Sequence, residues 1–219
     1  MTADINNLHN IYISIYFKSF NELKNAFDSG ILKKNNNYEI RFDLFELNDK
    51  NPENIISYMN ENKINYIFTY RGSKIADIIK VYSYAFNRAP IIDIDISNFY
   101  FKRDDFQKSR LMLSYHGNNN DDVKNILKKM EMHNPDIYKI ALNYNDYEKF
   151  LRDLLIIMDF KKRTNKEMAF IPMGDKNSFL RVFSLITVSD IGYAKFKEST
   201  APGQLTLDNY NEIFEILKH

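Results

Sequence analysis

Eight short runs rich in β-branched and aromatic residues recur along the chain, and they constrain its fold more than any other feature. They are IYISIYF (11–17), YEIRFDL (38–44), NYIFTY (65–70), PIIDIDI (90–96), RLMLSY (110–115), IYKIAL (137–142), EMAFIP (167–172) and IGYAKF (191–196). Composition and length predict a strand at each. Between them apolar residues recur at helical spacing: Phe20, Leu23 and Phe27; Val123, Ile126, Leu127 and Met130; Tyr147, Leu151, Leu154 and Met158; Leu207, Tyr210, Phe214 and Leu217. Asn119 or Asn120 supplies an N-cap ahead of Asp121 and Asp122, whose charges suit a first helical turn. Strand then helix, about eight times over, predicts a parallel sheet covered by helices.

Two α/β architectures fit: an open doubly wound sheet and a closed (β/α)8 TIM barrel. Eight repeats favour the barrel, at the short end of its length range. The chain has only 6 Gly and no Gly-rich loop after its first run, which weighs against the nucleotide-binding alternative. At 219 residues, without a composition break or a Pro/Gly/Ser linker, one (β/α)8 catalytic domain over residues 1–219 is expected.

Composition excludes several functions. Lys and Arg number 30 against 29 Asp and Glu, a net charge of +1, so no nucleic-acid or anionic-membrane footprint is expected. No run approaches a membrane span of roughly 20 apolar residues, and MTADINNLHN lacks the regions of a signal peptide, which points to a cytoplasmic protein. Without Cys there is no disulfide, thiolate metal site or cysteine nucleophile. His9, His133 and His219 show no ligand spacing, so neither a metal nor a cofactor is expected.

Strand side chains alternate between faces. Glu39, Arg41 and Asp43 then oppose Ile40, Phe42 and Leu44; Asp93 and Asp95 oppose Ile92, Ile94 and Ile96; Ser114 and His116 oppose Leu113 and Tyr115; Lys139 opposes Tyr138, Ile140 and Leu142. If helices cover the apolar faces, the charged sets point inward. Unpaired charges there cost on the order of several kcal/mol each, so they must pair or converge at the mouth of the barrel. Each has a plain alternative. The Glu39 row could be the solvated face of an antiparallel strand, Asp93 and Asp95 internal salt-bridge partners, His116 a structural histidine before Gly117, and Lys139 a snorkelling residue. Desolvation near an acidic, imidazole-lined mouth would instead favour a neutral amine at Lys139, able to attack a carbonyl.

With these residues in hand, a resemblance emerges. EIRFD (39–43), TYR (69–71), SYH (114–116), YKIAL (138–142), PMGDKNSFLR (172–181) and STAPGQL (199–205) resemble, in order and over nearly the whole chain, type I 3-dehydroquinate dehydratases of the shikimate pathway. The resemblance implies a (β/α)8 barrel that removes water from 3-dehydroquinate through a Schiff base. Lys139 matches the imine-forming lysine, His116 the histidine that moves the proton, and Arg181 the arginine on the substrate carboxylate. Glu39, Arg41 and Arg71 match groups that fix ring hydroxyls and charge, with Ser14 and Asp43 nearby. Met173 matches an apolar wall, and Tyr193 falls where an aromatic is expected. TAPGQL resembles a lid in which Thr200 and Gln204 supply hydrogen bonds while Pro202 and Gly203 shape the turn. A homodimer is implied by the resemblance alone.

The chain departs from the family pattern. Ile75 stands where a glutamate usually orients the histidine, with Asp77 the nearest carboxylate; the segment 72–92 is about ten residues short; Asp95 replaces a glutamate, and Thr200 a lid serine. Two other functions use some of these features. One is another class I aldolase or lyase acting through Lys139 on a small keto sugar; the other is a degenerate barrel that binds without catalysis.

Overall fold

The computed structural model describes residues 10–46 and 51–218. His9, His219 and the N-terminal residues behind the leader expectation lie outside them, except for Asn10. All eight expected strands are present: β1 (Ile11–Ile15), β2 (Asn37–Arg41), β3 (Asn65–Thr69), β4 (Ile91–Asp95), β5 (Arg110–Asn118), β6 (Ile137–Asn143), β7 (Glu167–Met173) and β8 (Gly192–Lys195). The helices are α1 (Phe20–Asp28), α2 (Glu53–Glu61), α3 (Ile75–Ala85), α4 (Val123–Glu131), α5 (Tyr147–Arg163), α6 (Ser178–Thr187) and α7 (Leu207–Leu217). The sheet order is β7-β6-β5-β4-β3-β2-β1-β8, and the chain is a (β/α)8 barrel by class.

Three local expectations need correction. β4 and β5 are joined by two 3-10 turns, Ile96–Asn98 and Arg103–Phe106, instead of an eighth α-helix. Phe99, Phe101 and Phe106 pack with Phe86 at centroid separations of 4.6 to 6.5 Å, an irregular cluster with no helical period. The N-cap of α4 is Asp122, whose side chain accepts from Asn125 N at 3.2 Å. Asn118, Asn120 and Asp121 close the preceding turn on themselves. β2 stops at Arg41, and Phe42–Leu44 form a 3-10 turn, so the alternation of faces does not extend to Asp43.

The described residues divide into two compact units, Tyr12–Met112 and Ile11 with Leu113 onward. In the first, β1 through β4 pair in parallel, with Ser14 beside Glu39 and Thr69 between Arg41 and Asp93 in register. Tyr38, Ile40, Tyr66, Phe68, Ile92 and Ile94 are fully buried. α1 buries Leu23, Ala26 and Phe27 and is capped by Ser19, which accepts from Glu22 N.

In the second unit β6 pairs in parallel with β7, placing Lys139 beside Ala169. The other edge of β7 is satisfied partly by side chains: Met168 N donates to Asp190 Oδ2 at 2.8 Å and Phe170 N to Ser189 Oγ at 2.9 Å, while Asp190 N donates to Met168 O at 2.7 Å. Lys161 holds the Asp190 carboxylate at 2.6 Å. Buried backbone groups find partners in this way without a regular ladder.

Candidate active site

Within Tyr12–Met112 the strand ends carry a connected polar cluster. Ser14 Oγ donates to Glu39 Oε2 at 2.6 Å and Thr69 Oγ1 to Glu39 Oε1 at 3.2 Å, so both carboxylate oxygens are engaged in a site where Glu39 is 4 % exposed. Arg71, just past β3, donates from Nη2 to Asp93 at 2.8 Å, and its Nη1 lies 3.9 Å from Asp95. The salt-bridge reading of Asp93 and Asp95 therefore describes the contacts they make. Asp95 also accepts from Ser97 N and Oγ, which caps the turn after β4. Arg41 closes a bidentate pair onto Asp43, with Nε at 3.1 Å and Nη2 at 2.7 Å.

The electrostatics of these arginines follow from their company. Burial would lower the Arg71 guanidinium, but Asp93, with Tyr82, Asp95 and Glu39, outweighs it and holds the group above its ordinary range. Arg41 is raised in the same way: burial opposes, and the Asp43 hydrogen bond with the charges of Glu39 and Asp43 prevails. Both stay cationic and have carboxylate counter-charges. Tyr82 braces this cluster: its hydroxyl accepts from Tyr70 N at 3.1 Å and lies 2.8 Å from Tyr70 O and 2.7 Å from Asp93 O. Nothing in the strand pattern marks Tyr82 or Thr69, because both act through partners distant in sequence.

In the unit from Leu113 onward, Lys139 lies mid-β6 and is 5 % exposed, a buried amine as its flanking residues suggest. Its Nζ sits 4.1 Å from the centroid of the Tyr193 ring on β8. His116 lies within β5, which runs past the expected end at Tyr115 to Asn118; the imidazole is exposed, while Ser114 on the same strand face is buried. Ile75 opens α3 and is 53 % exposed.

Arg181 differs from the other two arginines. It lies on α6, 4 % exposed; its Nη2 donates to Pro202 O at 2.8 Å, and its buried Nε has no hydrogen-bond partner among the described residues. Burial lowers its pKa, with Tyr210 opposing. A guanidinium remains charged there, so an unengaged buried donor on a cation favours an anionic ligand. Among the described residues no group of three or more His, Cys, Asp or Glu is disposed around a metal position.

The segment after β8 is seated on α6. Ser178 Oγ donates to Gly203 O at 3.1 Å, and Thr200 N and Oγ1 donate to Gln204 Oε1 at 3.0 and 3.1 Å. Gly203 has φ +72, and a Cβ there would lie 2.3 Å from Gly174 O. Gly174 is itself at φ +123. Asn177, 4 % exposed, secures that corner by donating from Nδ2 to Tyr144 O and Met173 O, each at 2.7 Å. Sequence reading passed over Asn177 and Ser178; their position within PMGDKNSFLR was the available signal.

A buried strand lysine in a (β/α)8 scaffold marks the chain as a barrel enzyme. It belongs to the type I 3-dehydroquinase family, whose model matches residues 11–219. It is 39 % identical to the 3-dehydroquinate dehydratase of Thermoplasma volcanium over 95 % of this chain and 90 % of that one. The 3-dehydroquinate dehydratase of Thermoplasma acidophilum is 34 % identical, over 94 % and 90 % of the two chains. In fold it matches the crystal structure of 3-dehydroquinate dehydratase from Geobacillus kaustophilus with a TM-score of 0.80, at 18 % identity over 95 % and 91 %.

Proposed function

We propose that this chain, acting as a single catalytic domain, dehydrates 3-dehydroquinate to 3-dehydroshikimate through an imine on Lys139. Family membership supports the reaction, and the observation that carries the residue assignment is the burial of the Lys139 amine at 5 % exposure on a barrel strand. Neutral Lys139 adds to the C3 ketone, and loss of water leaves a protonated imine. His116 takes the C2 proton, and the electron pair flows to the imine nitrogen. Its return expels the C1 hydroxyl, which leaves as water with the proton from His116. Hydrolysis of the imine then releases product and restores the amine.

The remaining groups bind. Arg181, with its unengaged Nε, holds the carboxylate. Glu39, Arg41 and Arg71 fix ring hydroxyls and balance charge, Ser14 orients Glu39, and Thr200 and Gln204 hold the lid. The aldolase alternative shares Lys139 but gives no role to STAPGQL or EIRFD, so no observation favours it. The test is borohydride trapping with 3-dehydroquinate beside an enone absorbance assay. Substrate mass on Lys139 and rising absorbance are expected, with turnover abolished in Lys139→Ala and His116→Ala. An adduct with a sugar phosphate alone would establish the aldolase, and unchanged rates in both variants would remove the mechanism.

A cytoplasmic location and a homodimer complete the reading. Tyr147, Leu151 and Leu155 on α5, Phe179 and Phe183 on α6 and Leu217 on α7 are 40 to 63 % exposed. From about 150–250 Å² for each aromatic side chain, Tyr147, Phe179 and Phe183 alone present on the order of 300 Å², and the leucines extend the patch. An apolar patch of this size on one face marks an interaction surface, and a second copy of this chain fits it. Sedimentation of the wild type and Leu151→Glu tests it: a dimer that the charge splits is expected, and a monomeric wild type refutes it.

A further inference from the structure

The nitrogen of Lys139 lies 4.1 Å from the centroid of the Tyr193 ring. Lys139 is on β6 and Tyr193 on β8, with 5 % and 4 % exposure. Beside Lys139 on β7, in register with it, is Ala169, which is fully buried. Paired residues of a parallel ladder project to one side, so a large residue at 169 would crowd the lysine chain.

We propose that Tyr193 is a positioning residue for Lys139, its ring face holding the nitrogen in place, with the small Ala169 beside the lysine chain on β7. The chemistry follows from the ring quadrupole, which attracts a cation most where water is excluded. On the reading above, the nitrogen becomes positive as the protonated imine, and the ring face that lies against it holds it there once it is bonded to C3. The inference rests on that reading of Lys139. It assigns the aromatic a specific task, which needs the π face and not the hydroxyl.

Four substitutions separate this task from bulk. Tyr193→Phe keeps the face, whereas Tyr193→Leu and Tyr193→Met keep apolar volume without it; Ala169→Leu crowds the lysine chain from β7 while leaving Tyr193 intact. Misplacement of a reacting group by about 1 Å costs roughly 100-fold. The expected result is a 10- to 100-fold lower kcat and slower borohydride trapping at saturating substrate in Tyr193→Leu, Tyr193→Met and Ala169→Leu, with KM within about threefold. Tyr193→Phe should stay near wild type. Thermal melts identify variants that do not fold, and any one of the three that folds decides the matter. Trapping at wild-type speed in a folded Leu or Met variant overturns the proposal and leaves the dehydratase reading standing. A Phe variant as slow as Leu also overturns it, because the hydroxyl would then be responsible. If the wild type itself forms no adduct at Lys139, both readings fall.

Discussion

Substituting Tyr82 by phenylalanine removes one oxygen atom and tests how the arginine-bearing strand ends are held. Tyr82 is 1 % exposed on α3, and its hydroxyl is the meeting point of three backbone groups: Tyr70 N at 3.1 Å, Tyr70 O at 2.8 Å and Asp93 O at 2.7 Å. It accepts from the N–H and shares its one proton between the two carbonyls. In Tyr82→Phe the ring still fits, so no cavity term arises. The Tyr70 N–H loses this buried acceptor, at about 1–3 kcal/mol, and one shared donation of about 1 kcal/mol is lost as well. The sum is about 2–4 kcal/mol, or roughly 5–15 °C in Tm for a chain of this size.

The consequence for function follows from place. Residue 70 precedes Arg71, and Asp93 is the carboxylate that Arg71 grips at 2.8 Å. Releasing both backbones loosens that pair, so KM should rise several-fold while kcat, set elsewhere in the chain, changes less. Urea and thermal melts followed by circular dichroism, alongside steady-state kinetics, measure both. A loss below about 0.5 kcal/mol with unchanged KM would show that water replaces the hydroxyl and would refute the bracing role.

Three further outcomes are expected. Gly203→Ala places a methyl 2.3 Å from Gly174 O at φ +72, so the lid should fail to seat; kcat/KM should fall at least tenfold with Tm nearly unchanged, whereas wild-type kinetics would mean that the lid seats otherwise. Thr200→Ala loses one hydroxyl donation to Gln204, about 0.5–1.5 kcal/mol, and should cost far less turnover than Lys139→Ala; comparable losses would count against both roles. Burial pushes the Tyr38 and Tyr138 phenols up to about 12. Folded values above the unfolded ~10 mean that their stabilisation is whole below pH 10 and is lost as pH rises toward 12. Tm measured from pH 9 to 12 should fall steeply in the wild type and less in Tyr38→Phe or Tyr138→Phe, and parallel curves would exclude these phenols as the cause.

The sequence by itself determined the strands and the class of fold, because β-branched runs and alternation are local properties of the chain. Burial of Lys139 and Glu39 could be read in the same way, from apolar flanks and a period of two. Where a local rule ended, the reading failed with it. The alternation was carried past Arg41 to Asp43, although the backbone turns there and the two side chains pair. About eight β-then-α repeats predict a helix between β4 and β5, where Phe99, Phe101 and Phe106 instead cluster with Phe86 without a helical period. Only the tertiary structure decided that Arg71 holds Asp93, that Arg181 donates to Pro202 O and keeps its Nε unengaged, that Tyr82 ties β3 to β4, and that the Lys139 nitrogen faces the Tyr193 ring. These contacts join residues more than 20 apart in sequence, except for Tyr82 and its partners, 11 and 12 residues apart, which lie nearest to a local signal. Strand propensity carries no information about such distances, because they are set when separate segments compete for the same interior volume.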